Sequence, residues 1–448
     1  LSDADLAAIE DTDQQIVIGL NGTGTGLVTV GSAIFHDVVE LYGGSFLITG
    51  DVTGDSTFTV TAQDGNITID AAAEISVTTV GGDIVLDSRA GSVLLPNGSV
   101  TADDTIDITA FSDITMASGN LAAGTSVDLM ATNGAISHTL GTVSTGVVTA
   151  TAATGVTLNT AADSATINVT VVGDLTVNEM DAITLTSLTT TDGAIDVQAG
   201  GTITAAVVNS SNVSDGDNDV SLESTDGDVD LGDVNAGTDD ASVTATDAIT
   251  DGRGGDDTID ANIVATMATL SAGAGIGTAA DDLDVQLGSS DVPPENGTLG
   301  AMNTGAGDIN ITQLAAGGDL VVTKLQQQDD TDTGNIILVV ADDLLTLSTD
   351  GTVAAGSGDI ALTTTGMTGN IELDAIVSTQ AGQIQITASG AVNQNAGGNI
   401  STTNSGGVSV DANAGSVTMA VGTGTTTENG DITYEASVNI TAETLTST

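Results

Sequence analysis

The chain has no cysteine, no tryptophan and only three basic residues, Arg89, Arg253 and Lys324, among 448. Each shortage excludes something. Without cysteine there are no disulfides and no thiolate metal sites. Lys+Arg number 3 against 61 Asp+Glu, so the formal net charge is -58. No basic patch can form, which excludes nucleic acid and anionic membrane as electrostatic partners. Aromatics are 1% of residues, too few for the ring-filled core of a globular domain or β-sandwich. The core has to be built from Ile, Val, Leu and Ala. No apolar run reaches transmembrane length and no signal peptide is visible, so direct membrane insertion is not expected. No initiator Met opens the chain, which reads as a mature, processed chain or a fragment of something longer.

Glu is scarce too: ten of the 61 acids are Glu and the other 51 are Asp. Asp suits turns and caps whereas Glu suits helices, so a helical acidic protein is excluded. Disorder is excluded by 40% hydrophobic residues and recurring strand patterns. The charge favours divalent cations, high salt or simple solubility.

What is abundant is glycine, 57 residues, and in the last third it is periodic. Gly334, Gly358, Gly382, Gly406 and Gly430 each stand 24 residues after the one before. The second residue after each is Ile336, Ile360, Ile384, Val408 or Ile432; the fourth is Leu338, Leu362, Ile386, Val410 or Tyr434. The residue between varies freely. Two inward positions flanking one outward position is strand alternation. A fixed period of this length carrying strand patterns predicts a solenoid with one supersecondary unit per repeat. The unit at Gly382 shows three strands, at Gln383–Ile386, Gly390–Val392 and Gly398–Ile400. Upstream the motif persists with drifting spacing, as in Gly65-Asn-Ile-Thr-Ile, Gly173-Asp-Leu-Thr-Val and Gly307-Asp-Ile-Asn-Ile. The expected fold is all-β, with about three short strands per ~24-residue coil. At a rise of about 4.8 Å per coil, the expected rod is roughly 90 Å long.

Two regions depart from the pattern. Residues 1–60 hold Phe35, Tyr42, Phe46, Phe58 and His36, and Ser2 with Asp5 suggests a short helix over Leu6–Ile9. This stretch is read as a capping or docking region, with the repeats proper over 61–448. Residues 288–298, with Pro293 and Pro294, read as a looped-out excursion.

The tandem Gly-x-Ile-x-Leu motif resembles the filamentous-haemagglutinin-like and large β-strand-repeat surface proteins of bacteria. So does Ala248-Ile-Thr-Asp-Gly252 followed by Ala268-Thr-Leu-Ser-Ala-Gly-Ala-Gly-Ile-Gly277. The resemblance covers roughly residues 60–448. It implies a right-handed parallel β-helix at the cell surface, used for adhesion or matrix building. The Asn-Pro-x-Gly secretion motifs that open many such proteins are not here; Leu95-Pro-Asn-Gly98 is no match.

Candidate chemistry is sparse. Asp pairs occur at Asp103-Asp104, Asp239-Asp240, Asp256-Asp257, Asp281-Asp282, Asp329-Asp330 and Asp342-Asp343, and none stands out as an acid/base pair. His36 and His138 lie several coils apart and read as isolated surface or turn residues. Asp215, Asp217 and Asp219 place oxygen ligands at alternate positions, like the start of a calcium loop, with Glu223 and Asp226 beyond. Val220 stands where such a loop needs Gly, and Asp226 where it needs a bidentate Glu; the bland reading is a solvated acidic turn. Asp251–Asp260 echoes a calcium-binding nonapeptide in a single copy. Ca2+ is therefore the only cofactor in view. Thr-x-Thr pairs such as Thr57/Thr59 are ordinary outward strand residues.

The sequence thus reads as an extracellular structural or adhesive protein without catalytic residues. It would be a rod-like subunit or segment of a bacterial surface fibre, sheath or adhesin stalk. Its partner would be a second copy joined head to tail, or neighbouring segments of a longer surface protein. Phe35, Tyr42, Phe46 and Phe58 are the candidate interface; the alternative is that these rings seal the first coil. An adhesin module for host or glycan ligands comes second and a polysaccharide-active enzyme third.

Overall fold

The structure is a computed structural model. It describes residues 15–448 except 71, 211–217, 254–259, 290–294, 329–332, 342–343 and 368. The chain is all-β and winds as a parallel β-solenoid of about 18 turns, with coils of roughly 23 residues and about three strands each. The chain divides into two compact units, Leu1–Gly201 with Val208–Val213, and Thr202–Val207 with Ser214–Thr448.

In the first unit the ladder is already in place at Ile16. Strand Ile16–Ile18 pairs in parallel with Val39–Gly43, which pairs with Phe58–Ala62. The coils therefore begin well before residue 61, where the sequence pattern becomes clear. The helix expected over Leu6–Ile9 lies outside the described residues. One inward column runs Val39, Phe58, Ile84, Ile106, Val127, Val148, Ala165, Leu185, each in register with the next. All eight are buried. Burying such a side chain contributes roughly 1.5–3 kcal/mol each for the larger members.

The second unit contains the 24-residue zone, and the expected alternation is what is found. Ile336, Ile360, Ile384, Val408 and Ile432 form one continuous inward column. The first four are at most 2% exposed, whereas Gln385, between Ile384 and Ile386, faces out. The three strands of the Gly382 coil are Ile384–Ala388, Val392–Gln394 and Ile400–Thr402. The excursion has a different form from the loop expected at 288–298. Strands Leu283–Ser289 and Glu295–Asn303 make a short antiparallel hairpin, with Gly288 opposite Asn296. By Gly297 the chain has rejoined the parallel ladder, opposite Leu320. The prolines lie outside the described residues, so only the hairpin stem is defined.

Two devices join coil to coil. The first is a glycine column. A Cβ built on Gly334, Gly358, Gly382, Gly406 or Gly430 would overlap the carbonyl oxygen of the equivalent glycine one coil back, beginning with Gly307. Glycine recurs at this place because backbone meets backbone there. The second is a ladder of short polar side chains on the residue after that glycine. Each accepts a hydrogen bond from the backbone N–H at the equivalent place in the next coil. Asn335 N donates to Asp308 Oδ1 (2.7 Å), Asp359 N to Asn335 Oδ1 (2.9 Å), and Gln383 N to Asp359 Oδ1 (2.7 Å). Gly407 N then donates to Gln383 Oε1 (3.1 Å). The first unit uses the same device: Ala135 N donates to Asp113 Oδ1 (3.0 Å) and Ala194 N to Asp174 Oδ1 (3.1 Å). A carboxylate acceptor makes such a bond stronger than a neutral one. Inside the turn, buried threonines close the circuit: Thr379 donates to Gly358 O (2.8 Å), Thr402 to Gly406 O (2.7 Å) and Thr427 to Gly430 O (2.6 Å). Buried carbonyls are thereby satisfied.

Candidate functional site

The residues singled out by type fall into three settings. The first is the core. Phe35 and Phe46 are 2% exposed and Phe58 is 1% exposed, and the rings of Phe35 and Phe58 lie 5.6 Å apart between centroids. These three rings fill the coil interior, so they cannot themselves present an interface as expected; only Tyr42 of that set points outward. The physical reason is alternation: Phe46 and Phe58 take inward places of their strands, and burial of a ring outweighs anything it gains in water. His138 is also fully buried, its Nε2 bonded to Gly119 O at 2.8 Å, and burial pushes its pKa down. Glu179 is buried as well. Ala162 N (3.1 Å) and Met180 N (2.7 Å) donate to its carboxylate, yet burial still pushes its pKa up.

The second setting is the turn ladder, where most candidate acids prove to be occupied one at a time. Asp219 Oδ1 accepts from Asp240 N at 3.0 Å, whereas Asp215 and Asp217 lie outside the described residues. Asp240 has its pKa raised by burial first, then by Asp219 and Asp239. In the nonapeptide-like segment, Asp251 Oδ1 accepts from Arg253 N (2.7 Å) and Asn262 Nδ2 (2.7 Å); residues 254–259 are outside the described set. Asp103 Oδ2 accepts from Gly81 N (3.0 Å), and Asp282 Oδ2 accepts from Thr312 Oγ1. The pairs at 256–257, 329–330 and 342–343 are not described. Among the described residues, no three His, Asp or Glu side chains gather as a metal-holding group. Asp107 and Asp128 do face each other on neighbouring coils. Burial, then Asp128, raises the Asp107 pKa.

The third setting is the outer surface. His36 is exposed and pairs with Asp55 Oδ2 at 2.6 Å. Lys324 Nζ lies 3.1 Å from Met302 Sδ. It lines a depression of about 220 Å³ with Gly300 and Thr323, where the ladder slips register at Leu299/Gly300. A further outward constellation surrounds Arg89. Its Nε donates to Asp87 Oδ2 (3.0 Å), and its Nη1 to Asn21 Oδ1 (2.9 Å) and Gln63 Oε1 (3.2 Å). Gln63 Nε2 donates in turn to Asn21 Oδ1 (3.3 Å), and Tyr42 OH to Glu40 Oε2 (2.8 Å). That bond to Glu40 is the main reason the Tyr42 pKa is raised. Sequence reading missed this group because Asn21, Gln63 and Arg89 share no motif and follow no period. The signal available was the rarity of arginine itself.

Comparison with protein families, with curated proteins and with solved structures finds no match for this chain.

Proposed function

We propose that the chain is a structural, extracellular β-solenoid: a subunit or segment of a bacterial surface fibre, sheath or adhesin stalk that works by assembly rather than turnover. The observation that carries this reading is how the polar residues are used. Turn carboxylates and amides accept backbone N–H groups of the next coil, and Thr379 donates to the Gly358 carbonyl one coil back; what they build is scaffold. The partner would be a second copy joined head to tail, or neighbouring segments of a longer surface protein. Calcium or salt would assist by screening the net charge of -58.

The test is light scattering and negative-stain imaging of the purified chain, with and without millimolar calcium. Linear assemblies are expected. A chain that stays monomeric at high concentration in both conditions refutes self-assembly.

A further inference from the structure

The chain holds six aromatic residues, four Phe and two Tyr. Three Phe are inside, and Tyr434 is turned onto Thr425 Oγ1 (2.6 Å) and Gln394 Oε1 (3.1 Å). The other two, Tyr42 and Phe111, are on the outside, and Phe111 is 48% exposed. They are 69 residues apart in sequence yet belong to one stretch of surface, because the ladder brings them together. Tyr42, Thr61, Asp87 and Thr109 stand in register on four successive coils, with Thr61 itself covered at 3% exposure. Just past them, at the turn, Gln63, Arg89 and Phe111 follow one another on successive coils. Arg89 N bonds to Ala62 O and Phe111 N to Ser88 O, each at 2.9 Å. Two outward rings thus bracket a group where an arginine and two amides meet.

We propose that this surface binds a short neutral oligosaccharide, with Tyr42 and Phe111 as stacking platforms and Asn21, Gln63 and Arg89 as partners for sugar hydroxyls. Three observations point to that chemistry. A pyranose ring has an apolar C–H face that packs on an aromatic face, and an exposed ring otherwise gains nothing from water. Sugar hydroxyls both donate and accept, and the cluster offers both, with amide N–H and guanidinium donors beside amide and carboxylate acceptors. Arg89 Nη1 and Nε are engaged, and among the described residues nothing accepts from Nη2. The charge balance selects against an anionic ligand: Asp87 lies 3.0 Å from Arg89 Nε and Glu40 is bonded to Tyr42, so no net positive charge remains. The hydrogen bonds among Asn21, Gln63 and Arg89 hold the polar groups in place before any ligand arrives, which lowers the entropy cost of binding. Four coils at about 4.8 Å spacing span roughly 14 Å from the Tyr42 row to the Phe111 row, a length suited to a few sugar units.

The experiment is calorimetric titration of the full chain with cellohexaose, maltohexaose, mannohexaose and galactohexaose, and with hexagalacturonate as the anionic probe. At least one neutral probe should bind, with little dependence on salt, and hexagalacturonate should not. Tyr42→Ala and Phe111→Ala should each weaken binding about tenfold or more, whereas Tyr42→Phe, which keeps the ring, should stay within about threefold. Arg89→Lys should weaken it also, because an ammonium cannot reproduce the fork. Thermal melts run alongside show that each variant is folded; if Tyr42→Ala fails to fold, Phe111→Ala and Arg89→Lys decide. The proposal is overturned if no neutral probe binds, if hexagalacturonate binds best, or if folded ring variants bind as the parent does.

Discussion

Gly382→Ala against Gly26→Ala is a direct test of the coil-to-coil joint. At Gly382 a methyl group would overlap the Gly358 carbonyl oxygen and sit 2.8 Å from Asp359 N, where an unstrained contact needs about 3.5 Å. Both obstacles are backbone, so no side chain can swing away. The coils must part locally, and two hydrogen bonds cross that joint: Gln383 N to Asp359 Oδ1 (2.7 Å) and Ile360 N to Gln383 O (2.8 Å). The first has a charged acceptor and is worth about 1.5–3 kcal/mol, the second about 0.5–1.5. Losing both predicts a cost of about 3 kcal/mol, before any loss of packing beneath. At Gly26 an added Cβ meets nothing within 4 Å and φ lies outside the left-handed region. Alanine there should be neutral or stabilising by up to about 1 kcal/mol through the unfolded chain. Denaturant melts of the two variants measure the difference, and amide exchange at Gln383 and Ile360 localises it. Equal midpoints, or unchanged protection at those amides, would refute the steric account of the glycine column.

The alternation itself is tested by Ile384→Asp and Gln385→Asp. The first puts a carboxylate into a dry column and should cost several kcal/mol, the second under about one, in the same melts; equal costs would sink the register. Stability should also depend on pH through His138. Its folded pKa is lowered by burial, so its contribution is complete above the ordinary value near 6.5 and is lost as pH falls through the folded value. Asp107, Asp240 and Glu179 have raised folded pKa values. They act oppositely: their contribution is complete below the ordinary carboxyl range and is lost as pH rises through the raised values. His138→Gln should therefore flatten the fall in melting temperature below about pH 6.5, and an unchanged profile would show that the imidazole is not the group responsible.

The sequence made the ladder legible where one residue type answers to one constraint. Gly382, Ile384 and Ile386 recur because backbone approach and two inward places recur, so the period and the alternation map straight onto the coil. The same logic misplaces a side chain whose type and position disagree. Phe35, Phe46 and Phe58 look like an interface by rarity, yet their strand phase puts them inside. The hairpin at Leu283–Ser289 and Glu295–Asn303 was hidden because prolines signal interruption without saying how the flanks pair. The Asp excess points to turn chemistry within a coil, whereas the bond from Gln383 N to Asp359 Oδ1 links residues 24 apart. Asn21, Gln63 and Arg89 meet only because coils of unequal length stack, and no spacing rule announces that.

The polar ladder also gives each coil a direction. Asp359 reaches forward to Gln383 N, while its own N–H is taken by Asn335 behind it. The coils that carry Asn335, Asp359 and Gln383 therefore share a socket on one face and a plug on the other, and the run of plugs stops at Gly407, which has no side chain to reach forward. Removing residues 359–382, one period in phase, leaves Gly358 followed by Gln383, the Asn335 amide facing the Gln383 N–H, and Ile336 facing Ile384. The grammar of the chain is that of a tape that can be lengthened or shortened by whole coils without rewriting either neighbour.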